Sequence, residues 1–186
     1  MSDISHDFGN ISAWTKDKLD RVEEYLNRYL VALKNQRFQL EYIDAFAGTG
    51  YVTKEFTVGA QSLFEVEETV SLRDFIDGSA RIALQTNPSF SKYTFIERHS
   101  RRCKELLKLK DEFPHLANSI EVVNDDANAH VQQICRNDWI STHRRAVMFL
   151  DPYGTQVTWE TIEAIANTQA IRFMATFSYR NRKQAS

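Results

Sequence analysis

The segment Tyr42-Ile43-Asp44-Ala45-Phe46-Ala47-Gly48-Thr49-Gly50 joins an apolar, β-prone run to a glycine-rich turn, with a carboxylate where the two meet. A buried parallel strand delivers its C-terminal edge in this way. Glycine has no Cβ, so the chain can turn sharply there and approach a ligand closely. In open α/β sheets, ligands bind outside the carboxyl ends of the strands, where the strand order reverses. A strand followed by a turn is also common without a ligand. The test is whether later strands end in the chemistry that the first one implies.

The rest of the chain supplies those strands. Phe38–Phe46 is the first, Tyr93–Glu97 the second, Ile120–Asn124 the third, Arg145–Leu150 the fourth and Ile171–Phe177 the fifth. Helical patterns fall between them. Leu19, Val22, Leu26, Tyr29, Leu30 and Leu33 recur at helical spacing, with Lys16, Asp17, Asp20, Glu23, Glu24 and Arg28 on the other side. That helix is expected from Trp14, capped by Ser12 or Thr15. Further helices are expected from Ser79 to Leu84, ended by Asn87-Pro88, from Arg101 to Leu109, over 129–139, and from Trp159 to Ala166. Residues 51–77 read as a hairpin or a lid over the glycine turn. Alternation of this kind predicts an α/β domain with a mainly parallel sheet and right-handed crossovers. It spans 14–177, between a loose polar lead at 1–13 and a polar tail at 178–186.

At 186 residues the chain suits one domain with a real core. Hydrophobic residues make up 42% and charged residues 26%, a soluble globular balance. No apolar run is long enough for a membrane span, and the first residues carry no signal-peptide pattern. Cys103 and Cys135 lie far apart in helical patterns, with no metal-ligand spacing. Reduced thiols and a cytoplasmic setting are expected. The net charge of −2 is no footprint of an obligate nucleic-acid binder. The local clusters Arg98, Arg101, Arg102, Lys104 and His143, Arg144, Arg145 read first as solvated edges.

The strand ends carry a consistent signal. Asp44 and the glycine turn close the first strand, Glu97 the second, Asp126 follows the third, and Asp151 ends the fourth. Parallel strands put all four on one edge. The set fits a nucleoside. A carboxylate after the second strand can accept from both ribose hydroxyls, and an Asp after the third can accept from an adenine amine. The turn lacks the third glycine of a dinucleotide fingerprint, and no phosphate loop is present. Each carboxylate also has a purely structural role open to it. Glu97 and Asp126 could cap the following helices, with Asp125 competing for the second role, and Asp44 could fix its own turn. Asp151-Pro152-Tyr153-Gly154, directly after a buried strand, is the more specific motif. Proline stiffens the turn and removes a donor, and Tyr153 could stack on a flat substrate or pack beneath the loop.

With these residues in place, the chain resembles the class I S-adenosylmethionine-dependent methyltransferases. More narrowly, it is similar to the three-Cys-motif partner (TcmP) proteins. The resemblance rests on Trp14-Thr15-Lys16, Tyr42–Gly50, Gly78-Ser79-Ala80 with Ile82-Ala83-Leu84, and Phe95-Ile96-Glu97. It continues through Asp126-Ala127-Asn128, Phe149–Gly154 and Val157–Ile162. It implies a Rossmann-like sheet with helices on both faces and S-adenosylmethionine as cofactor. Asp44, Phe46, Gly48 and Gly50 would border its methionine part, Glu97 its ribose, and Asp126 with Ala127 its adenine. Asp151, Pro152 and Tyr153 would form the catalytic motif that receives a substrate amine, on a nucleic-acid base or modified nucleotide. No metal is implied. The expected partner is a protein with three cysteines, similar to radical S-adenosylmethionine proteins and common on phages and mobile elements.

The chain departs from that family in three places. Gly48-Thr49-Gly50 stands where Gly-Pro-Gly is usual, and the catalytic motif has a single proline. After Ile171–Phe177 the sequence is polar, so the last two strands of a complete methyltransferase sheet are not expected. The reading is therefore of a truncated domain, whose activity could be lost with its cofactor residues intact. A non-catalytic partner that keeps the fold is the main alternative, and an unrelated nucleotide-binding oxidoreductase the next.

Overall fold

In the computed structural model, the structure describes residues 5–49, 51–53, 75–152 and 156–176. Five strands form one parallel sheet: β1 (Gln39–Asp44), β4 (Lys92–Ile96), β5 (Ile120–Val123), β6 (Arg144–Leu150) and β7 (Ile171–Ala175). Their spatial order is β5-β4-β1-β6-β7. The chain first builds outward from β1 through β4 to β5, then returns to the other side of β1 for β6 and β7. The reversal therefore falls between β1 and β6. The pairing is parallel throughout, with Tyr42 opposite both Tyr93 and Val147.

Strand side chains alternate between faces, and here both faces are covered. On the first face, Tyr42, Tyr93, Phe95, Val147 and Phe149 pack under three elements: α1 (Ser5–Leu33), α2 (Ser79–Leu84) and the α3 (Ser100–Leu107)–α4 (Leu109–Glu112) pair. On the second, Ile43, Ile96, Ala146, Met148 and Leu150 pack under α5 (Ala127–Cys135) and α6 (Trp159–Asn167). Two covered faces explain why β6 reads as an almost unbroken apolar run rather than an alternating one. The α1 stripe is as expected: Leu19, Val22, Leu26 and Leu30 are buried, Tyr29 and Leu33 partly so, and the charged residues face out.

Several boundaries differ from expectation. The first helix starts at Ser5, not Trp14, so Ser12 and Thr15 are interior residues and not its cap. Extending a formed helix is far easier than starting one, so a single glycine at Gly9 does not stop it. The helix expected over Arg101–Leu109 tightens at Lys108, whose N–H bonds to the Glu105 carbonyl at 3.1 Å, and resumes as α4. The helix expected over 129–139 begins at Ala127, because Asp126 caps it. In the 51–77 segment, β2 (Tyr51–Thr53) pairs antiparallel with β3 (Phe75–Asp77), in line with the hairpin expectation. The lid expectation falls on residues 54–74, outside those described. So do Gly50, Tyr153, Gly154, Phe177 and the 178–186 tail.

Candidate functional site

The C-terminal edge of the sheet opens into a cleft of about 920 Å³ at the reversal between β1 and β6. Ala45, Phe46 and Gly48 line it after β1, Glu97 after β4, Asp126 and Ala127 after β5, and Asp151 with Pro152 after β6. The sheet thus gathers most of the sequence-predicted site residues in one space, of a size suited to a nucleoside-sized ligand. Gly48 adopts φ +62°, a left-handed conformation that strains any residue with a Cβ, although a Cβ there would meet no atom within 4 Å. The turn needs glycine for its backbone, not for room.

Asp44 is placed differently. It is 0% exposed and does not line the cleft. Its carboxylate accepts from the Phe46 N–H at 3.2 Å, the Ser79 hydroxyl at 2.5 Å and the Tyr42 hydroxyl at 3.5 Å. Asp44 thus closes its own turn and ties β1 to the start of α2. Burial pushes its pKa up to about 7, against the lowering pull of these donors, and the nearby Asp151 charge adds to the rise.

Glu97 and Asp126 are held by main-chain donors. Glu97 is only 7% exposed, and its Oε1 accepts from the His99 N–H at 2.7 Å. Its Oε2 faces Arg102 Nη1 at 3.7 Å, too long for a hydrogen bond. One oxygen is therefore fixed, and among the described residues the other faces the Arg102 guanidinium at a distance. Asp126 is the N-cap of α5, with Oδ1 accepting from the Ala129 N–H at 3.1 Å. Capping and facing the cleft are compatible, since a carboxylate has acceptor capacity on both oxygens.

Asp151 is held from afar. Lys18 on α1 donates to its Oδ2 at 2.6 Å, and the Thr176 hydroxyl, just past β7, donates to its Oδ1. The side chains of Lys18 and Asp151 are 15% and 26% exposed, so the pair sits partly out of water, where Coulomb attraction is stronger than at the surface. Lys18 also lines the cleft. Sequence reasoning missed it, because only packing of α1 on the sheet brings it to β6. In the sequence, Asn128 stands out only within Asp126-Ala127-Asn128. Its amide donates to the Gln156 carbonyl at 2.8 Å and its Oδ1 accepts from the Thr158 N–H at 3.0 Å, joining α5 to the loop after β6.

Fold and cleft together define an open, parallel α/β domain with helices on both faces and a ligand site at its switch point, the architecture of methyltransferase-like proteins. Solved structures agree. The chain is similar to a Legionella pneumophila protein of the family DUF519, with 17% identity, a TM-score of 0.58, and coverage of 84% of this chain and 67% of that one. It is also similar to the Escherichia coli protein yhhF, described provisionally as a methyltransferase, at 17% identity and a TM-score of 0.50 over 89% of this chain and 72% of that one. At this identity the likeness shows the fold. No family model matches the sequence, nor does any curated protein. Among the described residues, no cluster of His, Cys, Asp or Glu could hold a metal ion, and no helix is long and apolar enough to cross a membrane.

Proposed function

We propose that the protein is an S-adenosylmethionine-dependent methyltransferase acting on an amino group of a nucleic-acid base or modified nucleotide. The observation that carries this reading is one cleft lined by both Glu97, one of whose oxygens is held by the His99 N–H, and the Asp151-Pro152 turn. The donor set fits the cofactor. Glu97 would hold the ribose hydroxyls, Asp126 the adenine amine, and the Ala45–Gly48 turn the methionine end.

The bound cofactor would supply an electrophilic methyl group on a sulfonium. The chain's own residues would then position the nucleophile. Asp151 keeps acceptor capacity beyond its Lys18 and Thr176 bonds and would accept from the substrate amine. Pro152 carries no N–H to compete for that acceptor. Lys18 offsets the charge of Asp151 and fixes its rotamer. Catalysis of this kind is mainly orientation and electrostatics.

Within this class, motif resemblance supports a three-Cys-motif partner protein, with a cytoplasmic setting and a radical S-adenosylmethionine-like protein as partner. One observation favours a second reading, a non-catalytic partner of a phage or mobile-element system: both Asp151 oxygens already have donors within the chain. Transfer of labelled methyl groups to DNA, RNA and protein separates the two. Calorimetric titration with S-adenosylmethionine tests the cofactor, and binding that Glu97→Ala leaves unchanged would overturn the site assignment.

A further inference from the structure

Trp159 is 75% exposed, although tryptophan is usually among the more buried residues. The contrast within the chain is direct: Trp139 is 2% exposed, and its indole donates to the Ile134 carbonyl at 3.1 Å. Trp159 opens α6, whose packed face is carried by Thr161 and Ile165. Its backbone is nonetheless firmly placed. Thr158 caps the helix by accepting from the Thr161 N–H at 3.4 Å, and Asn128 Oδ1 accepts from the Thr161 hydroxyl at 2.8 Å. Asn128 and Gln156, which anchor this helix start, are themselves cleft-lining residues. An exposed indole therefore sits on a helix start that the cleft-lining Asn128 anchors.

The β4 side of the same edge is basic. Arg98, His99 and Arg102 line the cleft there, with Arg101 exposed beside them. No acidic residue sits in the first turn of α3, so these cations are placed against the helix dipole, a cost that an anionic ligand would offset. A flat aromatic on one side and cations on the other suit a polyanion with accessible ring faces. We infer that this edge binds single-stranded nucleic acid, with Trp159 stacking on a base next to the one that enters the cleft. The inference rests on the proposed methyltransferase reading and specifies its substrate. A duplex fits less well, since its base faces are already stacked.

The test measures anisotropy of fluorescein-labelled, adenine-containing 12-nucleotide strands, as DNA and as RNA, on the full chain, beside calorimetry with S-adenosylmethionine. Trp159→Ala is expected to weaken strand binding about tenfold, with Trp159→Phe recovering most of it. Cofactor affinity and melting temperature should not change, and a duplex of the same sequence should be insensitive to the substitution. Arg98→Ala should lower the salt dependence by about one unit of slope. Equal strand binding by wild type and Trp159→Ala would overturn the inference and leave the methyltransferase reading standing if the cofactor binds. Trp159-dependent strand binding without cofactor binding would support the inference and overturn that reading. A lowered melting temperature that Trp159→Phe does not restore would mean the ring packs within the fold. A dimer that Trp159→Ala dissolves would mean a second copy covers it. Either would overturn the inference.

Discussion

The two halves of the cleft hold their carboxylates by different means. On the β4 and β5 side, Glu97 and Asp126 each accept from a backbone N–H two or three residues ahead. On the β6 side, Asp151 is gripped by Lys18, 133 positions earlier, and by Thr176, 25 positions later. The first half is built from local turns that almost any parallel sheet could carry. The second exists only when α1, β6 and β7 are all docked. In the proposed reading, binding the cofactor would thus be a property of the loops, and placing the substrate a property of the whole fold.

The sharpest way to break this contrast is Asp151→Ala. It should lower methyl transfer about 10³-fold, while S-adenosylmethionine binding by calorimetry stays within about threefold. A parallel collapse of cofactor binding would merge the two halves into one. Asp44 tests the support beneath them. Its raised pKa means the folded chain keeps a proton that the unfolded chain releases above about pH 4. Stability should therefore fall as pH rises from about 4 to about 7 and level off above that, a swing on the order of 4 kcal/mol. Asp44→Asn can still accept from Phe46 and donate to Ser79, and should flatten that part of the melting-temperature profile. A variant as pH-sensitive as wild type would refute the assignment.

Lys18→Met should cost about 2 kcal/mol in transfer, through kcat more than through cofactor affinity. Its effect should largely vanish in the Asp151→Ala background, since the two residues act as one unit. Gly48→Ala is the smallest change, about 1 kcal/mol of stability from the left-handed backbone. Urea unfolding measures it, and no loss at all would mean the turn relaxes.

Legibility in the sequence follows the same divide. The strands, their order of alternation and the cleft residues after β4, β5 and β6 were readable, because strand-end carboxylates and turn glycines are local patterns. The capping role of Asp126 was readable for the same reason, as one of two open roles. Asp44 was expected at the cleft border. Its burial depends on Ser79 and Tyr42 closing over it, which no local pattern states. Lys18 flanks the apolar stripe of an amphipathic helix and looks like any boundary lysine until the helix docks. Trp159 could be placed at a helix start, but its exposure depends on what the sheet leaves uncovered.

The Asp151 grip has a consequence for synthesis. Among the described residues that touch this carboxylate, Thr176 is made last, long after Lys18. While the ribosome is still adding β7, the cofactor-side turns can already close, but Asp151 has at most one of its two partners. In the proposed reading, a nascent chain would therefore form the cofactor-side turns before Asp151 is held by both of its partners.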